Sequence, residues 1–425
     1  MKCDLLVVSA AQLITAPEGE GPLLGADLDR PLLIEDGAVA CAAGGIAAVG
    51  RTSEVLARYP ESEAARVIDA RGLLLAPGFV DCHTHLPFAD TREMEFDARA
   101  RGESYASIAE RGGGIRASVR HLRAASEESL AALVLKRLER LLAQGTTTVE
   151  AKSGYGLSIE EERKQLRALK RAADSSPVEI VPTFLGAHEV PDEYRARREG
   201  YVDLLVGTMI PAIAKERLAR YCDVFCDRGV FTVEESRRIL TQARASGLGL
   251  KLHADELADV GAAALAAELH AASADHLLCA SPRGLRAMAE AGVVAVLLPG
   301  TAFTLGLPYA NARIMVEMGL PVALATDFNP GTTMCSSMSM AMTLAVTQMK
   351  LTPAEAWMAS TANAACAVGE GGRLGRIQAG HQADLALFAG GDYRHVPYHY
   401  AEEHARLVVK RGAVAMDRGG DSGCA

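Results

Sequence analysis

The stretch GFVDCHTH, residues 78–85, decides the fold, because it is an apolar run that ends in two histidines one residue apart. Similar strand-like runs recur and alternate with amphipathic segments such as EESLAALVLKRLERLLAQG, residues 127–145, whose apolar residues have helical spacing. After GFVDCHTH the strand candidates are TTTVEAKSG, EIVPTFLGAH, YCDVFCD, GLGLKLHAD, SADHLL, VVAVLLPG and PVALATD. Eight such units predict an α/β fold, a (β/α)8 TIM-like barrel.

The two ends of the chain differ from its middle. Residues 1–76 and 372–425 contain short β-prone pieces separated by glycine, and each end alone is too small for a convincing core. We therefore predict that the two ends together form a small β-sandwich, and that residues 77–371 form the barrel.

Composition limits the partners. The 425 residues carry a net charge of -9 without a lysine or arginine run, which argues against nucleic acid and anionic membranes and favours a small-molecule partner. Nine scattered cysteines are typical of reduced thiols in the cytoplasm, and no apolar segment is long enough to span a membrane. We expect a cytoplasmic protein.

Histidine and acidic side chains gather at the ends of the predicted strands. His83 and His85 share one face of a strand because alternate residues do, and they lie at its C-terminal end, where barrel enzymes place their active sites. Other strands supply His253 with Glu256, then His276, and finally Asp327. Three imidazoles and a carboxylate that leave room for water predict a catalytic metal site.

The alternative interpretation is that each of these is a hydrogen-bonded core residue, and it applies most readily to a single histidine such as His276 or His188. The remaining histidines lie in helical or polar C-terminal contexts, and we expect them at the surface: His121, His270, His381, His395, His399 and His404.

The motifs PGFVDCHTH, HADE and the TD of ATDFNPGT resemble the amidohydrolase superfamily. Within it, FADTREMEFDARARGESYASIAERGGGI, EAKSGYGL and ATDFNPGT resemble the members that open an imidazolone ring; related deaminases and dihydroorotases share the metal ligands but lack KSGYGL and NPGT. The resemblance implies a distorted barrel with a small β-sandwich, a homodimer, and hydrolysis of 4-imidazolone-5-propanoate to N-formimino-L-glutamate in histidine degradation.

The resemblance also implies one divalent or trivalent metal ion, zinc or iron, held by His83, His85, His253 and Asp327. Relatives with two metals use a modified lysine on the fourth strand, and YCDVFCD contains none. Lys251, on the fifth strand, is expected to be a buried salt-bridge partner. Three side chains are candidates for moving protons, and the sequence leaves the choice among them open: Asp327, Glu256 and His276.

Substrate recognition requires a local cation because the protein is acidic and the implied substrate carries a propionate. Arg92 can form a bidentate fork to that carboxylate; its alternative is an ion pair with Glu93 or Glu95. The other substrate-binding candidates are Tyr155, His188, Glu256, Asn329, Gly331 and Thr332.

Two other functions compete with ring opening. The first is an aminohydrolase that deaminates a nitrogen heterocycle at the same metal site and releases ammonia. The second is a non-catalytic scaffold, which would tolerate loss of the metal ligands, whereas this chain retains the full set.

Overall fold

A computed structural model describes residues 1–103, 107 and 111–419. The strands are β1 (Leu5–Thr15), β2 (Leu32–Ala42), β3 (Gly45–Arg51), β4 (Val67–Asp69), β5 (Leu74–Pro77), β6 (Phe79–Asp81), β7 (Thr146–Lys152), β8 (Glu179–Ala187), β9 (Tyr221–Cys226), β10 (Gly249–Ala254), β11 (Ser273–His276), β12 (Val294–Leu297), β13 (Val322–Leu324), β14 (Leu385–Phe388), β15 (Ala405–Lys410) and β16 (Ala413–Asp417).

The described α-helices are mostly short and lie between these strands. They are α1 (Thr52–Arg58), α2 (Glu93–Ala100), α3 (Ile115–Ala124), α4 (Glu127–Leu142), α5 (Ile159–Ala173), α6 (Arg198–Leu204), α7 (Ile210–Lys215), α8 (Val233–Ala245), α9 (Ala262–Glu268), α10 (Pro282–Ala291), α11 (Pro299–Leu305), α12 (Ala312–Glu317), α13 (Met338–Met349), α14 (Pro353–Ser360), α15 (Ala362–Ala367) and α16 (His395–Tyr398). None of these described helices combines the length and the apolar character needed to cross a bilayer.

Strands β6 to β13 form one parallel sheet in sequence order, as the alternation of strands and helices predicts. Each of the eight strand candidates contains one of these strands. The barrel prediction is therefore confirmed.

The first and last strands of the barrel meet just beyond their regular ends. Thr84 and Phe328 form a parallel bridge. The His85 amide donates to the Phe328 carbonyl at 3.0 Å, and the Asp327 amide donates to the His83 carbonyl at 3.0 Å. This seam brings the HTH motif next to Asp327, although the two lie more than two hundred residues apart in sequence.

The two ends of the chain build a second sheet of mixed direction, in the order β16-β15-β14-β5-β1-β2-β3, with β4 paired to β1. Apolar residues of both ends pack in one cluster that includes Leu5, Val39 and Leu385. This confirms the small β-domain assembled from both termini. Its last N-terminal strand ends at Pro77, and the barrel begins at Phe79.

An aromatic cluster and an ionic cluster join the barrel to this sheet. Phe79 stacks on Trp357 with ring centroids 5.2 Å apart, and Phe388 of β14 packs against both rings. Nearby, Glu179 at the start of β8 contacts Arg373 at 2.5 Å and Lys410 at 3.3 Å. The core of the barrel is thus continuous with the base of the second sheet.

Replacing Glu179 with glutamine is expected to weaken this junction in a pH-dependent way. Burial alone would raise its pKa, but Arg373 and Lys410 outweigh burial and hold the pKa of Glu179 at about 2. A carboxylate with a lowered pKa stabilises the fold above its unfolded value, near 4.5, and loses that contribution as the pH falls toward 2. We expect a loss of about 1–2 kcal/mol at pH 7 after solvent screening, and a smaller loss at pH 3.

Urea unfolding of both proteins at pH 7 and pH 3 measures this difference. Glu268→Gln is the control, because Glu268 forms an exposed pair with Arg237, and we expect its effect to stay within about 0.5 kcal/mol. An equal loss at both pH values would contradict the role given to the Glu179 charge.

Two of the histidines expected at the surface are buried. His381 and His404 are each 3 % exposed, whereas His121 and His270 are exposed as predicted. The expectation was wrong for these two because the polar C-terminal stretches fold back onto the sheet and cover both rings.

Candidate metal centre and active site

Four side chains from three regions of the barrel converge at its C-terminal mouth. His83 Nε2 lies 3.3 Å from His85 Nε2, which lies 3.4 Å from His253 Nε2. Asp327 Oδ1 lies 3.5 Å from His83 Nε2 and 3.4 Å from His85 Nε2. All four side chains are almost completely buried. The structure therefore brings together the four ligands that the sequence predicts.

These four side chains fit a metal ion. Ligand atoms held about 2.0–2.2 Å from one ion lie roughly 3.3–3.5 Å apart, which is the spacing observed. Burial lowers the pKa of His83 well below its usual value and that of His253 to about 4, so both rings are neutral and have lone pairs to donate. Buried lone pairs that face one another at this distance are suited to sharing a cation.

Two buried carboxylates hold the far sides of these rings. Asp275 Oδ2 lies 2.6 Å from His83 Nδ1, and Asp223 Oδ2 lies 3.0 Å from His253 Nδ1. Such contacts fix the tautomer and the orientation of a ligating imidazole, because the proton stays on Nδ1 and leaves Nε2 free. Asp223 also accepts the backbone amide of His253 at 3.1 Å.

Lys152, at the end of β7, is the cation that pairs with the carboxylates behind these histidines. Its Nζ lies 2.8 Å from Glu150, 2.8 Å from Asp223 and 3.5 Å from Asp275, and all four side chains are fully buried. Burial would lower the pKa of Lys152, but the three carboxylates outweigh burial and raise it, so the lysine is charged. One buried cation thus connects both carboxylates that orient the histidines.

Lys251 does not form the buried salt bridge expected from the sequence. Its Nζ is hydrogen-bonded to the Cys82 carbonyl at 3.4 Å and to Ser273 Oγ at 3.2 Å, and no carboxylate of the described residues lies within ion-pair distance. The prediction was wrong because Lys152, on a neighbouring part of the barrel interior, takes the carboxylates.

Glu256 and His276 lie beside the metal ligands. Glu256 Oε2 is 3.6 Å from His276 Nε2, and the His276 ring centroid is 5.3 Å from that of His253. Asp227 fixes the loop that carries Glu256 by accepting its backbone amide at 2.7 Å. Burial raises the pKa of Glu256.

Two residues of the site have backbone conformations that non-glycine residues rarely adopt. His276 has φ +75° and Asp327 has φ +54°, both in the left-handed region. Such conformations cost of the order of 1 kcal/mol each and persist where the surrounding structure imposes them, which is common at active sites. Both residues lie where a barrel strand ends, His276 as the last residue of β11 and Asp327 just after β13, and these conformations direct both side chains into the site.

Arg92 lies in the wall of a cavity of about 320 Å³ that also includes Gly331 and Thr332. It forms an ion pair with Glu95 at 2.5 Å, as its alternative interpretation proposes, yet its side chain is only 10 % exposed and its Nε is buried without a partner. A Cβ on Gly331 would lie 2.6 Å from Arg92 Nη1, so a side chain at this position would displace the guanidinium from where it lies.

Tyr155 and His188 form an aromatic wall against the metal ligands. The His188 ring stacks on that of His85 with centroids 5.2 Å apart, and the Tyr155 ring lies 5.4 Å from His188. His188 Nδ1 contacts the Gly154 carbonyl at 3.0 Å. Burial raises the pKa of Tyr155 against the opposing effect of nearby Arg92, so the phenol stays protonated and can donate a hydrogen bond.

The loop after β13 uses the Asn329 side chain for its own structure. Asn329 Oδ1 accepts the amides of Gly331 at 2.7 Å and Thr332 at 2.8 Å, and its Nδ2 donates to the Asp327 carbonyl at 2.7 Å. Thr332 Oγ1 in turn donates to Asp327 Oδ2 at 3.4 Å. The substrate-binding role of these three residues stays a prediction.

Sequence reasoning missed the supporting residues: Lys152, Asp223, Asp275, Asp227 and Thr301. Thr301 Oγ1 donates to Asp327 Oδ2 at 2.5 Å. The sequence did contain a signal for these contacts. Glu150 and Lys152 are at positions i and i+2 of one strand, so their opposite charges lie on the same face. Charges inside a barrel strand must find partners inside the barrel.

The fold and this site together define a barrel hydrolase of the amidohydrolase type, and comparison with known proteins agrees. A model described as "Amidohydrolase family" matches residues 74–414. The imidazolonepropionase of Symbiobacterium thermophilum is 51 % identical over 418 residues, covering 98 % of each chain. That of Geobacillus thermodenitrificans is 48 % identical, also covering 98 % of each chain. The chain belongs to the amidohydrolase family and, within it, to the imidazolonepropionase family.

Solved structures show the same fold at low sequence identity. Escherichia coli guanine deaminase has a TM-score of 0.69 at 16 % identity, covering 99 % of this chain and 100 % of that one. An adenosine deaminase from Xanthomonas campestris with bound zinc has a TM-score of 0.67 at 19 % identity, covering 98 % and 93 %. These likenesses support the architecture alone.

Proposed function

We propose that the chain hydrolyses 4-imidazolone-5-propanoate to N-formimino-L-glutamate. The observation that carries the proposal is that Arg92, whose side chain is mostly buried, packs against Gly331 in the loop whose Thr332 contacts Asp327 of the His83–His85–His253–Asp327 centre, and that its Nε has no partner among the described residues. The centre suits hydrolysis of the ring amide, and the guanidinium suits the propionate. The imidazolonepropionase names of relatives up to 51 % identical support the same reaction.

The cofactor proposed is one metal ion, zinc or iron, held by His83, His85, His253 and Asp327. Three imidazoles and one carboxylate suit either metal. A bound ion would lower the pKa of water toward neutrality and polarise the ring carbonyl. The zinc named for a structural neighbour accords with this choice of metal.

Asp327 is suited to accepting a proton from water, and Glu256 is suited to supplying a proton to the leaving ring nitrogen. Burial would raise the pKa of Asp327, but the adjacent His85 and His276 rings and the hydrogen bond from Thr301 outweigh burial and lower that pKa, so this carboxylate is ionised and can accept a proton from water. The raised pKa of Glu256 lets it carry a proton, and its contact with His276 offers a path to the leaving ring nitrogen.

Arg92 and Tyr155 are proposed to orient the substrate. The Arg92 fork would pair with the propionate, and the Tyr155 hydroxyl and the His188 ring would hold the imidazolone beside His85. This arrangement presents the ring carbonyl to the metal centre while the charged tail stays near Gly331. The small-molecule substrate, the homodimer and the cytoplasmic location stay predictions.

The reaction is tested by incubating the purified chain with imidazolone-propionate while following the loss of its ultraviolet absorbance and any release of ammonia. Ring opening predicts loss of absorbance without ammonia. Ammonia released from guanine, cytosine or another ring, with no action on imidazolone-propionate, would favour the aminohydrolase alternative instead. Inactivity of the metal-loaded chain on every ring would favour the non-catalytic scaffold.

Arg92→Ala is expected to raise KM for imidazolone-propionate by about 10- to 200-fold, because a charge-assisted bidentate contact contributes roughly 1.5–3 kcal/mol. Arg92→Lys should recover only part of this loss, since a single ammonium cannot form the fork. Steady-state kinetics measure both. The control is Arg101→Ala. Arg101 lies just beyond the end of α2, is exposed, and pairs with Asp97 of that helix. Similar KM values for the Arg92 and Arg101 variants would contradict the assignment.

Removal of the metal is expected to abolish turnover and leave the fold intact. Dialysis against a strong chelator should reduce activity at least about 100-fold, because the remaining side chains cannot generate a nucleophile at neutral pH. Readdition of zinc or iron should restore activity, and the metal that restores more identifies the better cofactor. Full activity in metal-free protein would overturn the proposed chemistry.

A further inference from the structure

A second group of metal-type donors, which shares no residue with the centre at the barrel mouth, is formed by the C-terminal part of the chain. It consists of His395, at the start of the single turn α16, with Glu402 and His404 from the segment that leads into β15. One donor atom from each of the three lies within 4.8 Å of the other two. The segment carries no part of the catalytic centre described above.

His404 has the features of a metal ligand rather than those of a packed core residue. The residue is 3 % exposed, and its Nε2 is buried without a hydrogen-bond partner among the residues that the structure describes. The ring also hydrogen-bonds to the backbone of His399, and since Nε2 has no partner, this bond uses Nδ1. A histidine whose Nδ1–H is held by a backbone carbonyl offers its Nε2 lone pair, which is the usual arrangement of a ligating imidazole.

The neighbouring side chains hold His395 in place and leave one side open. The His395 ring stacks on that of His399 with centroids 4.0 Å apart and meets that of His404 at 5.8 Å, edge to face. A Cβ on Gly390 would lie 2.4 Å from the His395 ring, so the backbone packs directly against it. Glu402 is exposed, which gives an ion a path from solvent.

We propose that His395, Glu402 and His404 bind a second metal ion, a divalent transition metal of the zinc class. Two imidazoles and one carboxylate suit Zn²⁺, Ni²⁺ or Cu²⁺ rather than Mg²⁺ or Ca²⁺, which prefer all-oxygen sites. A tetrahedral ion held by three ligands has a fourth coordination position. His399, whose Nδ1 lies 3.9 Å from Glu402 Oε1, would lie next to it. The ion would tie α16 to the start of β15 and so hold the C-terminal segment on the small sheet.

The test is a zinc titration of the untagged full-length chain by equilibrium dialysis, with Zn²⁺ alone as the probe. We expect two equivalents of zinc per chain in the wild type. The His395→Gln/Glu402→Gln double variant should retain one equivalent and unchanged ring-opening activity, which shows that it is folded. Each single variant should weaken the second equivalent at least tenfold.

His121→Gln is the matched control, because His121 also lies beside a carboxylate, with Nδ1 3.2 Å from Asp90, but belongs to no group of three donors within residues 1–103, 107 and 111–419. It should keep both equivalents. A complementary variant, His83→Asn/His85→Asn, should lose the catalytic equivalent and keep the second one. The proposal is overturned if the wild type binds only one equivalent, if the double variant still binds two, or if His121→Gln loses the second equivalent as well.

Discussion

Asp327→Asn is expected to lower kcat by about 10²- to 10⁴-fold, the range usual for loss of a group that takes up a proton in the transition state. The asparagine oxygen can still face His85, at 3.4 Å in the native chain, and Thr301 can still donate to the side chain. We therefore expect the variant to fold and to keep part of its metal affinity. The neutral amide of the asparagine side chain, however, cannot accept the proton from water.

Kinetics and metal analysis on the same samples separate the two roles of Asp327. Metal content near one equivalent with turnover reduced at least a hundredfold is the expected result. Thr301→Ser is the control, because it keeps the hydroxyl that donates to Asp327 at 2.5 Å and should retain most activity. Turnover that falls only in proportion to metal content would show that Asp327 is a ligand and not a proton acceptor.

Lys152→Met is expected to destabilise the chain by about 3–5 kcal/mol, the usual result of removing one partner from a buried ionic cluster. Its loss leaves Glu150, Asp223 and Asp275 buried without their cation, and two of these contact His83 and His253, which are proposed to bind the metal. We also expect zinc affinity at the catalytic centre to fall about 10- to 100-fold, as is typical when the contacts behind metal ligands are lost. Denaturant unfolding and competition with a chelator measure the two effects.

Lys251→Met is a matched control for this experiment, because Lys251 is equally buried in the barrel and contacts a carbonyl, a hydroxyl and the Tyr221 ring rather than a carboxylate of the described residues. Removing it leaves no carboxylate unpaired, so its effect on zinc affinity should be small. Equal losses of affinity in the two lysine variants would mean that general disruption of the barrel interior, and not the carboxylate bridge, explains the result.

Much of this arrangement follows from local sequence patterns. Eight apolar runs at regular intervals predict the barrel, and the period-two alternation predicts that His83 and His85 face the same way. The rule that barrel enzymes place functional groups at strand C-termini then brings His253 and Asp327 to the same mouth. The structure confirms each of these placements.

Other contacts could not be predicted because they depend on which strands become neighbours across the barrel. Asp275 reaches His83 across 192 residues of sequence, and the choice of Lys152 rather than Lys251 as the partner of the buried carboxylates depends on where each lysine lies around the barrel interior. Arg92 illustrates a different difficulty, since its ion pair with Glu95 and its place in the cavity wall occur together. Sequence reasoning treated them as alternatives.

The seam between Thr84 and Phe328 has a consequence for the apoprotein. The parallel sheet is joined there by a single bridge and two backbone hydrogen bonds, and metal ligands lie on both sides of that join. Ligand binding stabilises whichever state it favours, by about 2.7 kcal/mol at a concentration a hundred times Kd. We therefore expect a newly made chain without its ion to open along this seam more easily, and to be cleaved by proteases sooner, than a chain that has bound metal.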